Sequence, residues 1–133
     1  MRHIEVAAGL IVHEGRYLIA KRKAGVHLGG LWEFPGGKRE AGESLEECLH
    51  RELLEELNIL VQDPVPFQTV RHEYPEKIVE LHFFHCRMRG GEAMPLDCAE
   101  IRWVYPFELA GYDFPPADQP VIHALQQATR RQG

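Results

Sequence analysis

The sequence predicts an α/β protein, a three-layer α/β/α sandwich around a mixed β-sheet. Three observations lead there. Several β-rich stretches are separated by turn residues, which is the pattern of a multi-stranded sheet. One long amphipathic helix interrupts them in mid-chain, and a second closes the chain. At 133 residues and 44% hydrophobic, the chain suffices for one domain, 1–133, with a real core, and is too short for two ordinary ones.

Taken in order, Ile4 to His13 is apolar and β-rich, Glu14–Gly15 reads as a turn, and Arg16 to Arg22 as the returning strand. Gly25, Gly29 and Gly30 make 24–32 a loop. In Glu33-Phe34-Pro35-Gly36-Gly37, a short strand breaks at the proline, and the glycines let backbone approach a ligand. A helix is expected from about Leu45 to Leu57. Leu45, Leu49, Leu53 and Leu57 recur every four residues as its core stripe. Ser44 with Glu47 fits a capping box, and Asn58 fits a left-handed C-terminal cap. Strands are expected over Leu60 to Val70, after Pro64 and Pro66, over Lys77 to Met88, and over Ile101 to Tyr105. Pro106 to Ala110 fits one helical turn. Asp118 or Gln119 opens the last helix, with Val121, Leu125 and Ala128 facing inward.

Composition narrows the function. A net charge of −5 argues against a sequence-independent grip on nucleic acid polymers. Cys48, Cys86 and Cys98 form no CxxC pair, which suits a reducing cytoplasm. No stretch reads as a signal peptide or approaches the roughly 18 apolar residues of a membrane span. Nothing in the pattern requires an oligomer.

The informative stretch is GKREAGESLEECLHRELLEELNI, Gly37 to Ile59. Glu52, Glu55 and Glu56 stand at i, i+3 and i+4, on one helical face. Like charges that close repel unless a cation sits among them, and carboxylates are the ligands that hard cations such as Mg²⁺ prefer. Acids among leucines are also an ordinary solvated helix face, so the surrounding residues matter. Gly37, Glu43, Arg51, Glu52, Leu53, Glu55, Glu56 and Ile59 fall at eight of the nine defined positions of Gly-x5-Glu-x7-Arg-Glu-apolar-x-Glu-Glu-x-Gly-apolar. The ninth is Asn58, where glycine is usual; Asn also accepts the left-handed turn.

That pattern resembles the signature of the Nudix hydrolases. LWEFPGGK before the helix and YDFPPADQPVI near the end resemble the bacterial MutT-type branch. The resemblance covers nearly the whole chain and implies a Nudix-type α/β/α sandwich. It also implies an enzyme that cleaves a nucleoside triphosphate to the monophosphate and pyrophosphate. For this branch that means 8-oxo-dGTP and nucleotide-pool sanitation. It implies Mg²⁺, with Mn²⁺ able to substitute, on Glu52, Glu55, Glu56 and the Gly36 carbonyl. Arg51 then holds the ligand set, and Glu43 braces Arg51 or the loop. The family's further acid falls at Asp97, as metal ligand or general base, with Glu100 and Glu52 as the other candidate bases. Substrate-binding positions carried over are Arg22, Phe34, Gly37, Lys38, Lys77 and Asp118. Guanidinium suits phosphate because its planar donors reach two oxygens.

Asp118 stands where the branch has an Asn that reads 8-oxoguanine. An ionised carboxylate only accepts, so it keeps the base's N7–H and loses O6 unless burial keeps it protonated. It would equally accept from a cytosine amino group, which makes a CTP or 5-methyl-dCTP pyrophosphohydrolase the alternative. Asp118 also fits a plain helix N-cap, with Pro120 in the first turn. A non-catalytic module that binds modified guanine is the non-enzyme alternative; such modules usually have a degraded acidic set. His82, His85 and Cys86 suggest zinc only superficially, because His82 and His85 point to opposite faces of a strand. Phe83 and Phe84 read as sheet packing.

Overall fold

A computed structural model of the chain describes residues 1–132, with side chains through 128. Among these, the strands are β1 (Arg2–His13), β2 (Arg16–Lys21), β3 (Trp32–Glu33), β4 (Gly36–Lys38), β5 (Ile59–Tyr74), β6 (Lys77–Gly91) and β7 (Glu100–Val104). The helices are α1 (Leu45–Leu57) and α2 (Gln119–Gln132), with short 3-10 turns at Pro106–Gly111 and Pro116–Asp118. The strands form one sheet in the order β3-β2-β1-β6-β5, with β4 on β1 and β7 on β2. β1 and β6 run parallel and the other pairs antiparallel, so the sheet is mixed.

Strand alternation separates the two cores. Ala7 and Ile11 of β1 and Phe84 and Cys86 of β6 meet Leu49, Leu53 and Leu57 of α1 on one face. Ala8, Leu10 and Phe83 meet Val121, Ile122 and Leu125 of α2 on the other. Phe83 and Phe84 are therefore packing residues, one on each face.

Helix α1 has the expected bounds because its signals are local. Ser44 Oγ accepts from the Glu47 N–H, and the Glu47 carboxylate accepts in return from the Ser44 N–H. Asn58 closes the helix at φ 58°, and its Nδ2 donates to the Glu92 carbonyl at 3.3 Å. An Asn here does what glycine would, with one added tether.

Two expectations need correction. β5 does not wait for the prolines; it starts at Ile59 and passes through Pro64 and Pro66. It can do so because it is an edge strand and its register shifts at Gln62/Val65 and Pro66/Gln68. Bulges absorb the missing donors. On α2, Val121 and Leu125 face inward as expected, but Ala128 is exposed and Ile122 takes the third buried place.

Candidate active site

Two glycines bring the acidic face of α1 to the sheet. β4 pairs with β1 as Ala8↔Gly36 and Ala7↔Gly37. A Cβ at Gly36 would strike the Ala7 carbonyl, and one at Gly37 would land on the Glu52 carboxylate. Both positions need glycine for close approach.

Arg51 organises the carboxylates around it. Its Nε and Nη2 donate to both oxygens of Glu43, at 3.0 and 2.7 Å. Nη1 donates to Glu52 at 2.8 Å and Glu55 at 3.4 Å, and Nη2 also reaches the Lys38 carbonyl. These bonds, with the Glu40 N–H, hold the Glu43 carboxyl down at about 2. The bidentate fork explains why arginine stands here.

Glu56 lies outside that grip. Among the described residues no lysine, arginine or histidine pairs with it. Burial, then the charge and hydrogen bond of Glu52, then Glu33 and Asp97, push its carboxyl far above the ordinary range. A half-buried carboxyl beside three others, with no cation of its own, is the feature that a bound divalent cation would relieve. The residues present therefore fit such an ion. They are not a closed cage, because Arg51 Nη1 stands between Glu52 and Glu55.

The other acids separate clearly. Asp97 hangs from the end of α1 through its N–H to the Glu56 carbonyl, at 3.3 Å, and its carboxylate pairs with Lys23 at 2.9 Å. The Glu100 carboxylate is bound to Arg102 at 2.6 Å. Arg102, itself exposed, lies over the ring of Trp32, which belongs to the core away from α1.

From Gly36–Gly37 a pocket of about 410 Å³ runs across the sheet, within the range of small-molecule sites. Arg22, Phe34, Gly37, Lys38, Lys77 and Asp118 all line it, as do Glu33, His72, Tyr74 and the floor residues Val6, Val79 and Leu81. Phe34 is fixed edge-on against Phe83 and tilted against Phe114. Arg22 is held by Glu33 at 3.2 Å and by the His27 carbonyl at 2.8 Å. Lys77 sits over the Tyr74 ring, at 5.2 Å.

Asp118 is 7% exposed, at the end of the short turn that leads into α2. Burial, then the charge of Glu33, raises its carboxyl to about 7. Glu33 is itself raised by burial against the pull of Arg22. Sequence reasoning passed over Glu33, since a lone acid in a two-residue strand carries no pattern. Its one signal was its place before Phe34.

Residues 7–124 match the family described as the NUDIX domain. The 8-oxo-dGTP diphosphatase of Escherichia coli K12 is 34% identical, with 96% of this chain and 99% of the relative aligned. The CTP pyrophosphohydrolase of the same organism is 36% identical over 94% and 93%. A structure from work on MutT of Aliivibrio salmonicida and Vibrio cholerae superposes with a TM-score of 0.78. It is 33% identical and covers 92% of this chain and 94% of its own.

Proposed function

This chain belongs to the NUDIX domain family, and from that premise we propose that it cleaves 8-oxo-dGTP to 8-oxo-dGMP and pyrophosphate. The observation that carries the reading is the continuity of the site. Gly37 lines the pocket and leaves room that a Cβ would take from the Glu52 carboxylate, while Asp118 lines the same pocket. Triphosphate chemistry and base reading therefore share one cleft.

Glu52, Glu55 and Glu56, with the Gly36 carbonyl and Asp97, would hold Mg²⁺, or Mn²⁺ in its place. A bound divalent cation neutralises triphosphate charge and aligns water for attack. Arg51 positions Glu52 and Glu55 through the bonds that Glu43 anchors. Arg22 and Lys38 take phosphate oxygens, and Lys77 lies toward the nucleoside end. As water's oxygen bonds to phosphorus, the bridge to pyrophosphate breaks, and a carboxylate accepts the proton. Glu52 and Asp97 are the bases the geometry favours. Glu100 is committed to Arg102 away from α1, and Asp97 has to release Lys23 to act. The free thiols of Cys48, Cys86 and Cys98 suit a reducing cytoplasm, and no described helix is long and apolar enough to cross a membrane.

Arg22→Ala is expected to raise KM by roughly tenfold or more, the worth of a charged hydrogen bond, with a smaller loss in kcat. An unchanged KM in steady-state assays would remove Arg22 from the site.

The raised carboxyl of Asp118 supports a second, pH-dependent reading. Below about pH 7 it carries a proton, so it can donate to O6 and accept from the N7–H of 8-oxoguanine. Above that value it only accepts, which suits the cytosine amino group. The ratio of kcat/KM for 8-oxo-dGTP to that for CTP should rise about tenfold from pH 8 to pH 6. Asp118→Asn should flatten the slope, because an amide donates and accepts at every pH. A panel of 8-oxo-dGTP, dGTP, CTP and 5-methyl-dCTP, run at both pH values on both proteins, tests the function. If CTP exceeds 8-oxo-dGTP at both pH values, the cytosine reading replaces ours.

A further inference from the structure

On the opposite side of the sheet from the nucleotide pocket, two strands bring together four side chains that the reaction does not use. β1 and β6 pair in parallel as Glu5↔Glu80 and Ala7↔His82. Strand alternation puts His3 and Glu5 on the same face as Glu80 and His82, while Ile4, Val6, Val79 and Leu81 between them line the pocket. Two acids directly opposite on one face repel.

We propose that His3, Glu5, Glu80 and His82 form a binding site for a divalent transition-metal ion such as Zn²⁺, clamping β1 to β6. One ligand atom each from Glu5, Glu80 and His82 already lies within 4.8 Å of the others. His82 Nε2 is 3.4 Å from Glu5 Oε2 and 3.3 Å from Glu80 Oε2, and His3 Nε2 is 2.9 Å from Glu80 Oε1. Two imidazoles and two carboxylates are a donor set for zinc rather than for Mg²⁺.

The state of His82 is the independent sign. Its Nε2 is buried and makes no hydrogen bond. Its Nδ1 is 3.3 Å from Thr69 Oγ1. With Nδ1–H donating to that hydroxyl, Nε2 turns a bare lone pair toward two carboxylate oxygens. A cation held among the three would relieve this arrangement, and a second hydrogen bond that fixes the tautomer is the usual support of a metal-bound histidine. The neighbouring arginines leave the inner oxygens available. Arg39 takes Glu5 Oε1 at 3.0 Å, and Arg71 approaches Glu80 Oε1 only to 3.9 Å. A cavity of about 290 Å³ lined by His82, Thr69, Leu45 and Phe67 gives a way in. His85 takes no part; it faces the other core and bonds Tyr17 at 2.8 Å.

The test is a Zn²⁺ titration of the whole protein in excess Mg²⁺, which engages the catalytic acids. Histidine side-chain ¹H–¹⁵N NMR reads each imidazole, and calorimetry reads the affinity. The expected result is a shift of the His82 resonances saturating at one equivalent, with Mg²⁺-dependent hydrolysis unchanged. His82→Gln, and separately the conservative Glu80→Gln, should weaken binding at least tenfold. His3→Gln, at an exposed site, serves if His82→Gln does not fold. If the His82 resonances ignore Zn²⁺ and respond only to pH, a proton bridges the acids and the proposal is overturned. Equal Zn²⁺ affinity in wild type and Glu80→Gln would overturn it as well.

Discussion

Glu56→Gln is expected to lose at least a hundredfold in kcat while the apo protein becomes more stable at alkaline pH. The two effects share one cause. Glu56 is a carboxyl pushed up by burial, by Glu52 and by Glu33 and Asp97. Its folded value lies above its unfolded one, so its stabilising contribution is complete below the ordinary value of 4.5. That contribution is lost as pH rises through the raised value. An amide stays neutral and avoids that loss. It also gives up a cation ligand, and with it the charge neutralisation the triphosphate needs. Urea denaturation in EDTA at pH 6 and pH 9, beside a turnover assay with Mg²⁺, measures both. A variant that loses activity and is also less stable at pH 9 would mean that Glu56 serves the fold, not the ion.

Gly37→Ala should separate activity from stability in a second way. The new Cβ would meet the carboxylate of Glu52, the far end of a flexible side chain. Glu52 can swing aside, so the midpoint of thermal unfolding should move by only a few degrees, about 1 kcal/mol or less. Swinging aside takes Glu52 from Arg51 Nη1, at 2.8 Å, and from the position the reaction uses. A loss of tenfold to a hundredfold in kcat is expected, since misplacement by about 1 Å can cost a hundredfold. Gly36→Ala is the contrasting control. There the collision is with the Ala7 carbonyl and with Ala8 Cα at 2.7 Å, backbone that cannot turn away. That variant should lose roughly 1–3 kcal/mol of stability or fail to fold. If Gly37→Ala keeps full activity, Glu52 does not need its observed place.

Helix α1 was legible in full because its signals lie within a few residues of one another: the Ser44–Glu47 box, the leucine stripe and the Asn58 cap. A brace from Glu43 to Arg51 or to the loop was expected from the family resemblance alone; the structure selects Arg51 and adds Glu52 as its second partner. Edge position was not, and it decides how β5 passes two prolines. Ile122 and Ala128 differ only in which side of the inner stripe the sheet covers, a matter of helix docking rather than helix period. Glu33 and the carboxyl of Asp118 interact because β3 and the last turn converge on one pocket. The Glu5–Glu80 pair depends on a parallel crossover. Such juxtapositions of distant residues leave no periodic trace in a single chain. Asp97 was the family's position for a further acid and Glu100 the other candidate; their partners, Lys23 and Arg102, distinguish them in space.

The most direct test of the central claim is ³¹P NMR of 8-oxo-dGTP incubated with the protein and Mg²⁺, before and after EDTA. The account predicts 8-oxo-dGMP and pyrophosphate appearing in equal amounts, with turnover stopping when the cation is chelated. Release of orthophosphate with a nucleoside diphosphate, or undiminished turnover in EDTA, would contradict it.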